Sequence, residues 1–276
     1  MSVSKPSELH RFLESLGTQA KKHLSQNFLI DGNILRKIVK EAEVGPEDVV
    51  LEIGAGPGAL TEHLLQTGAR VIAVEKDPIF ASALSRFSSL EVFSGDIRDF
   101  PFEKVLSSSS KKAKIVANLP YHLTTPILSL FIPRADLFES VTVMVQDEMA
   151  KRMTASPNGA DYSSFTVFLN FYSQPRYAFG VSNQCFYPVP KVQSAIVNLK
   201  LKEHEKVSSV EAFFQLVRTA FGQRRKMMRS TLKSLYPVSL VESCLCELQL
   251  NPLARPENLS LEHFLSLFRL LETKTA

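Results

Sequence analysis

Short apolar runs recur through the first half of this chain at Val49–Ile53, Arg70–Glu75, Leu90–Ser94, Lys114–Leu119 and Val141–Gln146. Near-continuous runs of this length mark strands covered on both faces, as in a parallel sheet; a half-exposed strand would alternate. Helical patterns fill the gaps, as at Ala59–Thr67 and Pro78–Phe87. Parallel strands need such crossovers, so the chain is predicted to form a doubly wound α/β sheet. Before the first run, Asn33–Glu43 reads as an amphipathic helix with Ile34, Leu35, Ile38 and Val39 inward. Thr166–Phe171 and Ser194–Leu201 are two later strand candidates. The aliphatic stretch Val141–Val145 is too short to span a bilayer.

The pattern changes near Glu203–Glu205. Beyond it only helical spacing is visible: Val210–Phe221, Arg224–Leu235, Leu240–Leu248 and Leu261–Leu271, with turns at Asn251-Pro252 and Arg255-Pro256. The expected organisation is therefore a sheet domain over 1–205 and a small all-helical domain over 206–276, which suits a length of 276 residues. The first residues, Met1 to Pro6, lack the apolar core of a signal peptide. Cys185, Cys244 and Cys246 supply no disulfide framework, and the six histidines have no metal-ligand spacing. Reduced thiols in a cytoplasmic protein, with no metal, are the expectation.

A net charge of +4 conceals an uneven distribution. Residues 1–40 carry seven Lys/Arg against three Asp/Glu, and 191–236 carry ten against three. Two basic blocks around a mildly acidic middle suit a polyanion, although solvated helix faces would look the same.

Leu51-Glu52-Ile53-Gly54-Ala55-Gly56-Pro57-Gly58-Ala59-Leu60-Thr61 lies where a strand passes into a helix. Glycines there permit a tight turn and close approach of a ligand. Gly54, Gly56 and Ala59 also fit a dinucleotide-binding pattern, and Glu75 stands 21 residues after Gly54, where a ribose-binding acid is expected. The loop by itself fits a nicotinamide dehydrogenase or an S-adenosylmethionine (SAM) methyltransferase. Two features favour the second. Pro57 removes an N–H that a pyrophosphate would use. Gly95-Asp96 follows the third run, where a carboxylate can accept from an adenine amine while Glu75 holds the ribose. By itself Asp96 reads equally as a turn aspartate.

Asn118-Leu119-Pro120-Tyr121 follows the fourth run. An adenine N6 amine is a poor nucleophile because its lone pair is delocalised into the ring. Two acceptors aimed at its hydrogens, the Asn118 Oδ1 and the Leu119 carbonyl, would orient it and localise that pair. Pro120 biases Leu119 toward an extended conformation, and Tyr121 can stack on the base. Methyl transfer would then rest on positioning and dipoles, with no strong base. An ordinary Asn-x-Pro turn is the competing reading.

These motifs, taken in order, resemble the ribosomal RNA adenine N6,N6-dimethyltransferase family over nearly the whole chain. Lys21-Lys22-His23-Leu24-Ser25-Gln26-Asn27-Phe28-Leu29-Ile30-Asp31 is similar to its amino-terminal SAM motif, with Ser25 where glycine is usual. The glycine loop, Glu75-Lys76-Asp77, Gly95-Asp96, the tetrapeptide, Phe186-Tyr187-Pro188-Val189-Pro190-Lys191-Val192-Gln193-Ser194 and Gln223-Arg224-Arg225-Lys226 follow in family order. The resemblance implies a Rossmann-like class I SAM-methyltransferase sheet. It implies that Asn27, Leu29, Gly54, Glu75, Asp96 and Asn118 contact SAM, Gly54 along its methionine portion. It further implies that Leu119, Pro120, Tyr121 and Asn118 meet the target base, and that Phe186, held out by its stiff proline loop, sandwiches that base against Tyr121. The implied substrate is a pair of adjacent adenosines in a hairpin near the 3′ end of 16S rRNA, each dimethylated in an immature small subunit. A large-subunit rRNA or DNA adenine methyltransferase, and a ribosome-assembly protein without chemistry, are the alternatives.

From Ala212 to Val241 there is no acidic residue, while Arg218, Arg224, Arg225, Lys226, Arg229 and Lys233 lie within the stretch. Arg225, Arg229 and Lys233 recur every four residues, which predicts one basic helix face for RNA phosphates. Nothing in the sequence demands an oligomer, and a monomer is expected.

Overall fold

A computed structural model of the chain describes residues 3–21, 26–106, 111–223 and 225–275. Lys22 to Ser25, with the glycine-to-serine departure, and Arg224 lie outside the described residues. In chain order the elements are α1 (Pro6–Ser15), β1 (Phe28–Leu29), α2 (Gly32–Glu41), β2 (Val49–Ile53), α3 (Ala59–Leu65), β3 (Arg70–Glu75), α4 (Pro78–Ala83), β4 (Leu90–Ser94), α5 (Phe102–Leu106), β5 (Ala113–Asn118), α6 (Thr124–Phe131) and β6 (Phe138–Gln146). There follow α7 (Asp147–Met153), α8 (Ser164–Tyr172), β7 (Ser173–Val181), β8 (Phe186–Tyr187), β9 (Ser194–Leu201), α9 (Val210–Phe221), α10 (Met228–Thr231), α11 (Val238–Glu247) and α12 (Leu261–Thr275). The chain divides into two compact units, one of 1–150 with 174–202, the other of 151–173 with 203–276.

In the first unit a seven-stranded sheet runs β4-β3-β2-β5-β6-β9-β7. The pairs β4–β3, β3–β2, β2–β5 and β5–β6 are parallel, and β6 meets β9 antiparallel. The order reverses beside β2, so the carboxyl ends of β2 and β5 flank a crevice where such sheets take ligands. Strands β2 and β3 are buried almost throughout, as their apolar runs require. Strand β4 is not: it forms the edge and is largely exposed, so the coverage expected for the first five runs holds for four. Strand β7 escapes the sequence reading because it is the other edge, mostly solvated and carrying Pro175; proline is tolerated only where no ladder bond is needed. The polar boundaries are capped: Asp31 accepts from the Asn33 and Ile34 amides at the start of α2, and Asp77 from the Ile79 amide at the start of α4. One core cluster joins Leu9 and Phe12 of α1 to Leu35, Val50, Val71, Phe80 and Val116.

The second unit is all-helical, with α8 to α12 and the last turn of α7 from Lys151. Two expectations are corrected here. Thr166–Phe171 lies in a helix, α8, not a strand. Ser163 and Thr166 cap each other reciprocally at its start, and Phe168, Phe171 and Tyr172 then fall at helical spacing onto one aromatic cluster with Phe213 and Phe214. Side-chain type suggested a strand, whereas spacing and cap decide for a helix. The segment 151–173 accordingly belongs to the helical unit, where Tyr162 Oη donates to the Leu259 carbonyl at 2.9 Å, rather than to the sheet domain. The expected helix Arg224–Leu235 is also broken. Gly222 ends α9, the amide of Lys226 turns back to Gln223, and α10 starts only at Met228, followed by a single 3-10 turn, Leu232–Ser234. Among the described residues no helix is long and apolar enough to cross a membrane.

Candidate active site

The carboxyl ends of β2, β3, β4 and β5 deliver the glycine loop, Glu75, Asp96 and Asn118 to a single cavity of about 240 Å³. Phe28, Leu29, Ile53 and Ile97 supply apolar walls, and Leu119, Pro120 and Tyr121 also line it. Of the positions proposed from sequence for cofactor and target, Asn27, Leu29, Gly54, Glu75, Asp96, Asn118, Leu119, Pro120 and Tyr121 are all brought together here.

The glycine loop keeps its shape by backbone conformation. Gly58 caps α3 with φ of 86°, and a Cβ there would stand 2.8 Å from the Phe87 ring. Gly56 has φ of 53° and lies against the Phe28 ring. Its amide donates to Glu75 Oε2 at 2.7 Å, and the Asp77 amide donates to Glu75 Oε1 at 2.7 Å. Glu75 is thus the brace between β3 and the loop as well as a cavity wall. Burial raises its carboxyl above the ordinary range, against the pull of those amides. Pro57 has no amide and its carbonyl accepts from Arg86, whose guanidinium lies over the Phe12 and Phe87 rings. With one amide committed and another absent, the loop has few donors for a pyrophosphate.

Asp96 accepts from the Arg98 guanidinium at 2.7 Å and 3.0 Å and from Lys76 at 3.1 Å. Its Oδ1 also receives the Arg98 amide, so it caps the turn it begins. The Arg98 hydrogen bonds, outweighing partial burial, hold this carboxyl well below the usual range. It is an ionised acceptor on the cavity wall. On β2, buried Glu52 accepts from the Thr61 hydroxyl at 2.7 Å, and desolvation, with nearby Glu75, pushes it up to about 8.

Asn118 Nδ2 donates to the Asn27 carbonyl at 3.3 Å, which leaves Oδ1 as the end free to accept. The segment carrying Asn27 is clamped further along. Lys21 pairs with Asp77 at 2.8 Å, and Gln26 Nε2 donates to the same carboxylate at 3.0 Å. Burial would raise the Asp77 carboxyl, but the Lys21, Gln26 and Ile79 hydrogen bonds together lower it. Lys21, Gln26 and Asp77 belong to motifs the sequence displays, yet their mutual contact has no sequence signal. Arg86 and Glu52 were likewise missed; an acid inside an apolar strand was the available clue for Glu52.

Phe186 departs from expectation. Its ring is 2% exposed and packed in the main core, and it does not line the cavity. The reason is strand pairing: β8 runs antiparallel to β1 with Phe186 opposite Leu29, so alternation turns Phe186 inward and Tyr187 toward His10. The prolines that follow hold out Val189, 52% exposed, rather than the phenyl ring.

The basic stretch is also rearranged. Arg225 and Lys226 are exposed in a turn, Arg218 is exposed near the end of α9, and Lys233 is exposed in the 3-10 turn. Arg229, on the four-residue α10, pairs with Glu242. The three cations expected on one helix face therefore do not share a helix. Among the described residues no group of three or more His, Cys, Asp or Glu side chains is placed to hold a metal.

A mostly parallel sheet of this order, with one acid ending β3, another following β4 and a ligand cavity at its carboxyl edge, defines a Rossmann-like methyltransferase. Comparison with known proteins narrows that class. The family model described as ribosomal RNA adenine dimethylase matches residues 17–273. The chain is 56% identical to "Ribosomal RNA small subunit methyltransferase A" of Protochlamydia amoebophila, over 97% of each chain. It is 49% identical to the protein so named in Chlamydia muridarum, over 99% of each. Among solved structures it is similar to a dimethyladenosine transferase from Plasmodium falciparum (TM-score 0.77, 27% identity, 89% of this chain and 97% of that one). It is also similar to the 23S rRNA methyltransferase ErmE (TM-score 0.70, 27% identity, 89% and 99%). The chain belongs to the ribosomal RNA adenine dimethylase family.

Proposed function

We propose that this protein transfers methyl groups from SAM to N6 of two adjacent adenosines in a hairpin near the 3′ end of 16S rRNA, dimethylating each within an immature small subunit. The observation that carries the reading is the tetrapeptide at the end of β5, which lines the same cavity as Glu75 and Asp96. Full-length identity of 49% and 56% to small-subunit enzymes, against 27% to ErmE, favours the small subunit over the large. We further infer that it works as a monomer in the cytoplasm.

The cavity suits an adenosyl group. Glu75 would hold the ribose hydroxyls, Asp96 the adenine amine and Gly54 the methionine portion, with Asn27 and Leu29 contacting SAM from the amino-terminal segment. SAM supplies an electrophilic methyl on a sulfonium. In the first transfer Asn118 Oδ1 and the Leu119 carbonyl accept the two hydrogens of the target amine, and in the second one of them accepts the single hydrogen left; either way the lone pair is turned toward that carbon, while Tyr121 carries the base. The nitrogen–carbon bond forms as the carbon–sulfur bond breaks, and the bond's electrons stay on sulfur. The resulting ammonium gives its proton to water. Alignment and fixed dipoles carry such a step. The target must leave its stack, which unpaired RNA makes cheap. Arg218, Arg224, Arg225, Lys226 and Lys233 are proposed to hold RNA phosphates; Arg229, already paired, contributes less.

Labelled SAM, incubated with the protein and under-methylated small subunits, tests the reading. Doubly methylated adjacent adenosines near the 3′ end are expected. Label confined to large-subunit RNA, or subunit binding without transfer, would overturn it.

A further inference from the structure

The serine that closes the motif running from Phe186 has no part in the mechanism above. Ser194 is the first residue of β9, 1% exposed, and pairs in register with Gln146 at the end of β6. Its Oγ lies 2.9 Å from Tyr121 Oη. Strand β6 in turn pairs with β5, which ends at Asn118, so three neighbouring strands bring Asn118, Gln146 and Ser194 to one edge. Ser194 is therefore as fixed as the sheet. Tyr121 is not. It opens a single 3-10 turn, closed by the Leu123 amide on the Pro120 carbonyl at 2.9 Å. A ring hung on one turn samples other rotamers unless its far end is held.

Resting on the reading that Tyr121 receives the target adenine, we propose that Ser194 is a positioning residue for methyl transfer. It locks the plane of the Tyr121 ring before the base arrives. Because Phe186 is buried, Tyr121 is the one aromatic of the two expected to hold the base that lines the cavity. The orientation of this single ring then sets where the stacked amine meets Asn118 and Leu119. Loss of a neutral hydrogen bond leaves the ring in place but no longer aligned, which lowers the rate of the aligned step and leaves the methyl-donor subsite untouched.

The test measures kcat and the KM for SAM on under-methylated small subunits for Ser194→Ala, Tyr121→Phe, the double variant and Tyr121→Ala. Ser194→Ala and Tyr121→Phe each remove the same bond from opposite ends. Each is expected to lower kcat about fivefold, with the KM for SAM unchanged and the double variant no slower than either. Parent kcat in both single variants, with loss in Tyr121→Ala, would overturn the positioning role and leave Tyr121 as the base platform. Multiplying losses in the double variant would overturn it too, since the hydroxyls would then act separately. Parent kcat in Tyr121→Ala would remove the platform itself. Should Ser194→Ala fail to fold, Tyr121→Phe decides, because it breaks the same bond without altering β9.

Discussion

The side-chain amide of Asn118 donates to the main-chain carbonyl of Asn27 across 91 residues of chain. One hydrogen bond thus joins the amino-terminal segment to the tetrapeptide, and it decides which end of the amide can accept from a substrate. Asn118→Ala removes both the tether and the acceptor. The expected result is a fall in single-turnover methyl transfer of about a hundredfold, the scale for one missing transition-state dipole. Subunit binding in a filter or mobility assay should change little. Unaltered turnover would take Asn118 out of the mechanism.

Glu75 braces the glycine loop through two amides and also faces the cavity. Glu75→Gln keeps the size but turns an N–H toward one of those amides. Without the charge-assisted bond, SAM binding weakens by about tenfold or more. Titration calorimetry reads this directly, and RNA affinity should stay at the parent value.

Exposed Arg225 and Lys226 differ from Arg229, which is occupied by Glu242. Arg225→Ala with Lys226→Ala should weaken rRNA binding and flatten its salt dependence, by about 0.7–0.9 in log–log slope for each phosphate no longer neutralised. Arg229→Ala should leave that slope nearer the parent. Equal slopes in all three proteins would move the RNA surface elsewhere.

Buried Glu52 has its carboxyl pushed from 4.5 up to about 8. A raised pKa means the folded state holds the proton more tightly than the unfolded chain. Its contribution to stability is complete below about 4.5 and is lost as pH rises through about 8. The melting temperature should therefore fall with pH across that window. Glu52→Gln, uncharged throughout and still able to accept from Thr61, should fall less steeply. Parallel curves would show that Glu52 does not titrate there.

The strands β2, β3, β5 and β6 and the helix α9 were legible because their signals are local: unbroken apolar runs and a capped amphipathic face. The motif residues from Asn27 to Tyr121 were legible because a parallel sheet sends every strand's carboxyl end to one edge, so position along the chain predicts position in space. Other features have no local signature. Edge strand β7 lacks burial on both faces, whereas β4 was legible as a strand and only its exposure at the edge was not. Helix α8 carries residues that favour strands, and its cap and aromatic partners overrule them.

The residues along the chain determined the sheet, the residue types that line the cavity and the uneven charge, since these follow from side-chain type and periodicity. Only the tertiary structure decided that Phe186 turns inward, that Arg229 meets Glu242, that Lys21 and Gln26 clamp Asp77, and that Ser194 holds Tyr121. Each of those depends on which distant groups become neighbours. Pairing register and competition for partners set that, and neither is written in any one stretch of sequence.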